Sequence, residues 1–162
     1  RLPGIRPVLA ATLIFVLAHN TLYTYIVPLL QAVNMADRVT TVLLVFGVTS
    51  LIGIWATGTM IDRWLGELTL ASTLLFAIAM LVMSLGNPLM TYLACGIWGL
   101  AFGGAATLFQ TALAKTAGAA ADVAQSVLVT AWNLAIAGGG LAGAALLKGA
   151  GIAWFPPVLL IL

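Results

Sequence analysis

Gly47-Val-Thr-Ser-Leu-Ile-Gly53-Ile-Trp-Ala-Thr-Gly58-Thr-Met-Ile-Asp62-Arg63-Trp-Leu-Gly66 is an apolar run closed by an acid and a base. The segment around it, 39 to 61, holds no charge. At 1.5 Å per residue it is long enough to cross a hydrocarbon core of about 30 Å. Charge returns only where the run ends, as expected of a membrane span meeting a polar interface.

The same alternation extends outward in both directions. Apolar segments fall at 8 to 30, 39 to 61, 68 to 85, 89 to 114, 122 to 147 and 151 to 162, and no charged residue lies in the interior of any of them. Of the 162 residues, 63% are apolar and 6% charged. A soluble domain carries about a quarter charged residues, so a water-soluble fold is excluded. The expectation is an all-α membrane protein with residues 1 to 162 as one transmembrane domain, cut at both ends. The sixth segment reaches about half-way across the core and is predicted to end beyond Leu162. Arg1 and Arg6 before an apolar run imitate a signal peptide. The run is longer than a signal core and no cleavage site follows, so it reads as a span.

Six basic and four acidic residues give a net charge of +2, too few charges to imply nucleic-acid binding. Arg1, Arg6, Arg63 and Lys115 fall on one side of the predicted spans, and Arg38 and Lys148 on the other. The positive-inside bias then places the amino end in the cytoplasm. Cys95 is the single cysteine and sits in an apolar run, so no intrachain disulfide exists.

Sliding the chain by 85 residues lays Ala36-Asp37 on Ala121-Asp122, Gly53 on Gly138 and Gly58 on Gly143. A repeat of three spans has an odd number of crossings, so its second copy is inverted, giving a 3+3 arrangement. Abundant Ala and Gly offer chance as the competing explanation. Gly99 with Gly103, and Gly139 with Gly143, have the four-residue spacing that permits close helix packing.

Polar groups inside the spans are few. His19, Asn20, Tyr23 and Thr24 cluster in the first segment, with His19 and Tyr23 on one helical face. Gln110 lies with Thr107 and Thr111 in the fourth, and Asn133 beside Trp132 in the fifth. Such groups are costly against lipid, so they either bond within the bundle or line a cavity for an uncharged solute with hydroxyl or amide groups. Thr49 and Ser50 are expected to bond their own backbone. No metal-ligand cluster, phosphate-binding loop or serine-nucleophile motif occurs, so neither a cofactor, a metal nor an enzyme is expected.

Gly58, Asp62, Arg63 and Gly66 form Gly-x3-Asp-Arg-x-x-Gly, which resembles the loop motif of the major facilitator superfamily. With the run from His19 to Pro28, Gly103 to Thr111, and Ala121 to Ser126 leading to Trp132-Asn133, the chain is similar to the carboxyl-terminal half of one branch. That branch comprises the sugar (arabinose-type) and purine-ribonucleoside efflux permeases of the drug:proton antiporter family. Glu67 stands where the motif usually turns basic, and Ala106 where a proline is expected. The resemblance implies helices seven to twelve of a transporter of the bacterial inner membrane, multi-pass, with the last helix truncated and an amino-terminal six-helix half as partner. It further implies efflux of a small solute by alternating access, with proton antiport. His19, Asn20, Tyr23, Gln110 and Asn133 fall on helices that line the cavity in such proteins, and Asp62 with Arg63 would gate one side. The alternative is a non-transporting module that packs through its glycine faces.

Overall fold

The computed structural model describes residues 4–162; Arg1, one of the basic residues assigned to the amino-end side, lies outside them. The described residues form α1 (Ile5–Thr24), α2 (Ile26–Ala32), α3 (Val39–Met83), α4 (Pro88–Gly103), α5 (Ala105–Ala117), α6 (Ala121–Gly149) and α7 (Phe155–Ile161). Short 3-10 turns join some of them, and no strand occurs among the described residues. Among the described residues three helical stretches are long and apolar enough to cross a membrane: Ile5–Thr24, Ala36–Met83 and Pro88–Gly149, with mean hydropathy of 1.5, 2.1 and 1.5.

The second and third stretches far exceed one bilayer and are subdivided. Within α3 a single residue, Trp64, leaves helical geometry (φ −126°, ψ 33°). Gly53 and Ser72, on either side of it, would stand about 28 Å apart on a straight helix. Yet a Cβ on Gly53 would lie 2.6 Å from the Leu100 carbonyl oxygen, and the Ser72 hydroxyl donates to the carbonyl of the next residue, Ala101. The chain therefore doubles back at Trp64, and α3 consists of two arms, 39–63 and 65–83. These are the second and third predicted segments, separated by one non-helical residue where a short loop was expected.

Two glycine-built seams organise the bundle. Along the first, Gly99 meets Phe46 and Thr49, Gly103 meets Ser50, and Gly104 meets Thr57, each too closely for a side chain. Residue numbers rise together on both helices, so the first arm of α3 and α4 run parallel. Along the second, Gly139 faces Leu17, Asn20 and Thr21, and Gly143 faces the Tyr25 ring. Thr21 Oγ1 donates to the Gly139 carbonyl (3.2 Å) and Tyr25 Oη to that of Gly140 (3.0 Å), so α1 and α6 also run parallel. Without Cβ atoms the backbones approach until dispersion contacts and these hydroxyl bonds hold them, which is how helices associate where lipid removes the hydrophobic drive.

Two breaks depart from the predicted uninterrupted spans. The first span is interrupted at Tyr25 (φ −107°, ψ 19°), because Pro28 lacks the N–H that would bond the Thr24 carbonyl. The fourth breaks at Gly104 although Ala106 replaces the expected proline. Here the Gly103-Gly104 pair relaxes the helix, and Thr57 occupies the space that a side chain on Gly104 would need.

The main core joins α1, α2, both arms of α3, α4 and α7 around Leu22, Leu30, Met80, Trp98 and Phe155. A smaller cluster, Leu113, Ala117, Ala124 and Leu128 with Ile5 and Leu9, ties α5 and α6 to the start of α1. At the opposite end, Leu29, Val33, Met83, Gly86, Ile152 and Pro156 surround a 220 Å³ cavity. Both ends of α3 thus sit on the side away from the start of α1.

Candidate functional site

One turn of α1 places His19 and Tyr23 on the same face, and one turn of α4 does the same for Trp98 and Phe102. The two pairs meet. Trp98 Nε1 donates to His19 Nδ1 at 3.0 Å, and the imidazole lies flat on Phe102, centroids 3.3 Å apart and planes 4° apart. Tyr23 flanks the other side of the ring at 5.8 Å, and Phe46 of α3 packs on Trp98 at 4.3 Å. His19 is buried, whereas Tyr23 is 47% exposed and forms the open edge of the cluster. A buried indole N–H needs an acceptor, and His19 supplies it.

Gln110 and Asn133 come together in a groove of about 280 Å³ between α5 and α6, lined also by Ala106, Leu128, Val129 and Trp132. Both amides are exposed. Asn133 Nδ2 donates to the Val129 carbonyl of its own helix (2.9 Å), leaving its Oδ1 open. Gln125 Nε2 donates to the Gln110 backbone carbonyl (2.8 Å) and so fixes α6 against α5 beside the groove. Trp132 reaches within 6.5 Å of Phe102, which stacks on His19. A continuous aromatic run, Tyr23, His19, Phe102 and Trp132, therefore links the two polar groups.

Asn20 stands apart from both. Its Nδ2 donates to Val16 O (2.9 Å), and its Cβ lies against Gly139 in the seam between α1 and α6. Thr49 and Ser50 bond carbonyls one turn back in their own helix. Trp98, Phe102, Phe46 and Gln125 are the participants that the sequence reading did not single out. The i, i+4 spacing of Trp98 and Phe102 was visible, but nothing in an aromatic pair on an apolar helix reveals that a histidine opposes it.

A larger apolar groove of 330 Å³ lies between α1, the second arm of α3 and α7, beside Phe15, Phe76 and Leu159. Its one hydroxyl, Thr73, already donates to Thr69 O, so it offers little to orient a polar solute. Among the described residues no three His, Cys, Asp or Glu side chains gather as metal ligands.

The charged stretch after Gly58 is helical almost throughout. Gly58 and Gly66 have no atom within 4 Å of the place where a Cβ would stand. Asp62 and Arg63 are exposed, and the Arg63 guanidinium lies 5.6 Å from the Trp64 ring centroid. The one ion pair among the described residues joins Arg38 to Asp37, so Asp62 and Arg63 form no charge clamp among them.

No family model matches the chain, and no solved structure matches it significantly. It is similar to the inner membrane transport protein YdhP of Escherichia coli strain K12 and of O157:H7. Each is 31% identical over 162 positions, covering 97% of this chain and 41% of the relative. A probable sugar efflux transporter of Mannheimia succiniciproducens is 28% identical over 161 positions, covering 91% of the chain and 39% of the relative. The chain thus spans about two fifths of the length of these relatives. Together with the long apolar helices, they place it among membrane proteins related to inner-membrane transport and efflux proteins.

Proposed function

We propose that this chain is the carboxyl-terminal six-helix half of a secondary active transporter. In this reading it exports a small uncharged solute by alternating access, coupled to proton antiport, in the bacterial inner membrane. The observation that carries the reading is the polar content of one aromatic-lined wall. Most Ser and Thr hydroxyls in the long helices donate to carbonyls of their own helix, whereas the Gln110 amide and Asn133 Oδ1 keep free hydrogen-bonding capacity. Unused capacity inside an apolar helix is costly unless water or solute meets it.

The seams support the 3+3 inverted repeat. Under the 85-residue shift the pairing of the first arm of α3 with α4 maps onto that of α6 with α1. Gly53 faces Leu100 and its counterpart Gly138 faces Leu17, two residues along α1 from Phe15, the shifted position of Leu100; Gly58 is open whereas its counterpart Gly143 is packed on Tyr25. Counting α1 with α2, the arms of α3, α4 with α5, α6, and α7 gives six crossings, the last begun by α7. Arg6, Arg63 and Lys115 would face the cytoplasm, and Arg38 and Lys148 the other side. An amino-terminal half would supply the partner wall and the acidic groups for proton coupling.

The test is uptake and efflux by the full-length protein in proteoliposomes under an imposed pH gradient, with pentoses, ribonucleosides and lipophilic drugs. Solute movement that follows the proton gradient supports the reading. No movement of any class shifts weight to a packing module. Asn133→Cys separates the two directly: a small water-soluble thiol reagent should label it in a transporter, while Cys95, buried in the core, stays unmodified. Protection of residue 133 would favour the module. If Asp62 gates, Asp62→Asn should change the inward-outward balance and lower exchange rates several-fold; identical accessibility and identical rates would remove that role.

A further inference from the structure

We propose that Trp98 is a positioning residue that fixes His19 in a single tautomer, so that the wall offers a hydrogen-bond donor, and not an acceptor, to its solute. An indole nitrogen only donates, so the ring nitrogen 3.0 Å away must be unprotonated. A neutral imidazole with Nδ1 accepting carries its proton on Nε2. Phe102 flat against the ring and Tyr23 beside it hold that orientation.

The Nε2–H is also available. It makes no hydrogen bond among the described residues, where Trp98 is the sole polar partner of His19. Every fully enclosed side-chain nitrogen or oxygen among the described residues has a partner. Nε2 therefore keeps an opening, on a residue otherwise 6% exposed. The group that fits there is an uncharged oxygen acceptor, a hydroxyl or carbonyl, on a solute whose ring can lie against Tyr23. Trp98 itself is fully buried and touches no solute. It acts through His19 alone.

The solute side of this inference rests on the transport reading; the tautomer does not. The experiment is nitrogen-15 spectroscopy of imidazole-labelled full-length protein, with a His19→Asn sample identifying the His19 signals by their disappearance. Native protein should show Nε2 protonated and Nδ1 bare. Trp98→Phe, which keeps an aromatic ring but no donor, should show a mixture of tautomers. A protonated Nδ1 in native protein overturns the proposal whether or not the variant folds, and so does an unmixed Nε2–H form in folded Trp98→Phe. In transport, loss of one such hydrogen bond in His19→Ala should weaken apparent solute affinity about tenfold. His19→Asn, whose amide can still donate, should recover most of it, within about threefold. If the spectra agree while no solute is transported, the tautomer lock stands and the transport reading fails. Equal affinities in His19→Ala and native protein reject the donor role.

Discussion

Replacing Gly99 and Gly103 together by leucine is expected to destabilise the bundle severely. The first Cβ would overlap the Phe46 carbonyl oxygen and Thr49, and the second the Ser50 carbonyl oxygen. Backbone oxygens in a helix cannot rotate away as a side-chain tip can, so the first arm of α3 and α4 must separate. Overpacking a tight site costs about 1–3 kcal/mol, and two such sites on one seam strain against a total stability of about 5–15 kcal/mol. Separation would also strip Trp98 from Phe46 and withdraw the Ala101 carbonyl from Ser72. Full-length double mutant should lose its monodisperse elution in detergent, and Gly103→Ala alone should lower the melting temperature measurably. Gly58→Ala and Gly66→Ala are the matched controls. Nothing stands within 4 Å of their new methyl groups, and alanine favours a helix over glycine by about 1 kcal/mol. A double mutant that elutes and melts like native protein would refute the seam as an organising contact.

The second large effect is expected in the groove. Gln110→Leu with Asn133→Leu should lower transport kcat/KM by about a hundredfold, since two hydrogen bonds to an uncharged solute contribute roughly tenfold each. Folding should survive. Both side chains are exposed, and the one hydrogen bond Asn133 makes within the chain goes to its own helix. Thr130→Ala, which removes another exposed self-bonded group from α6, should transport normally. Initial rates in proteoliposomes, with elution profiles as the folding check, decide the matter. Unchanged kinetics across the solute panel would remove Gln110 and Asn133 from the binding site.

Much of the fold was legible because a bilayer imposes length and apolarity directly on sequence. Charge separates the six segments at four of their five boundaries and Gly86-Asn87-Pro88 at the other, and the four-residue spacing of Gly99 with Gly103 and Gly139 with Gly143 marked close packing. The break at Tyr25 was foreshadowed by Pro28, but that at Gly104 was not, because its cause includes Thr57 on another helix. Charge marks the end of the second segment near Trp64, but only tertiary structure shows that a single residue, and not a loop, leaves helical geometry there.

The candidate site was legible in its polar members and not in its arrangement. His19 and Tyr23 were rightly paired by helical spacing, and Gln110 and Asn133 meet across a groove. Asn20, one residue from His19, turns to the other seam, since adjacent positions on a helix point about 100° apart.

Composition and spacing by themselves marked this chain as an all-helical membrane protein, where its apolar segments lie, and which few side chains lipid would not tolerate. Tertiary structure alone decided which helix each glycine meets, that both seams run parallel, and that Trp98 and Phe102 enclose His19. The physical reason is the solvent. In water an apolar stripe points to the core, but a helix in lipid is apolar on every face, so its inward side is set by contacts with helices distant in sequence.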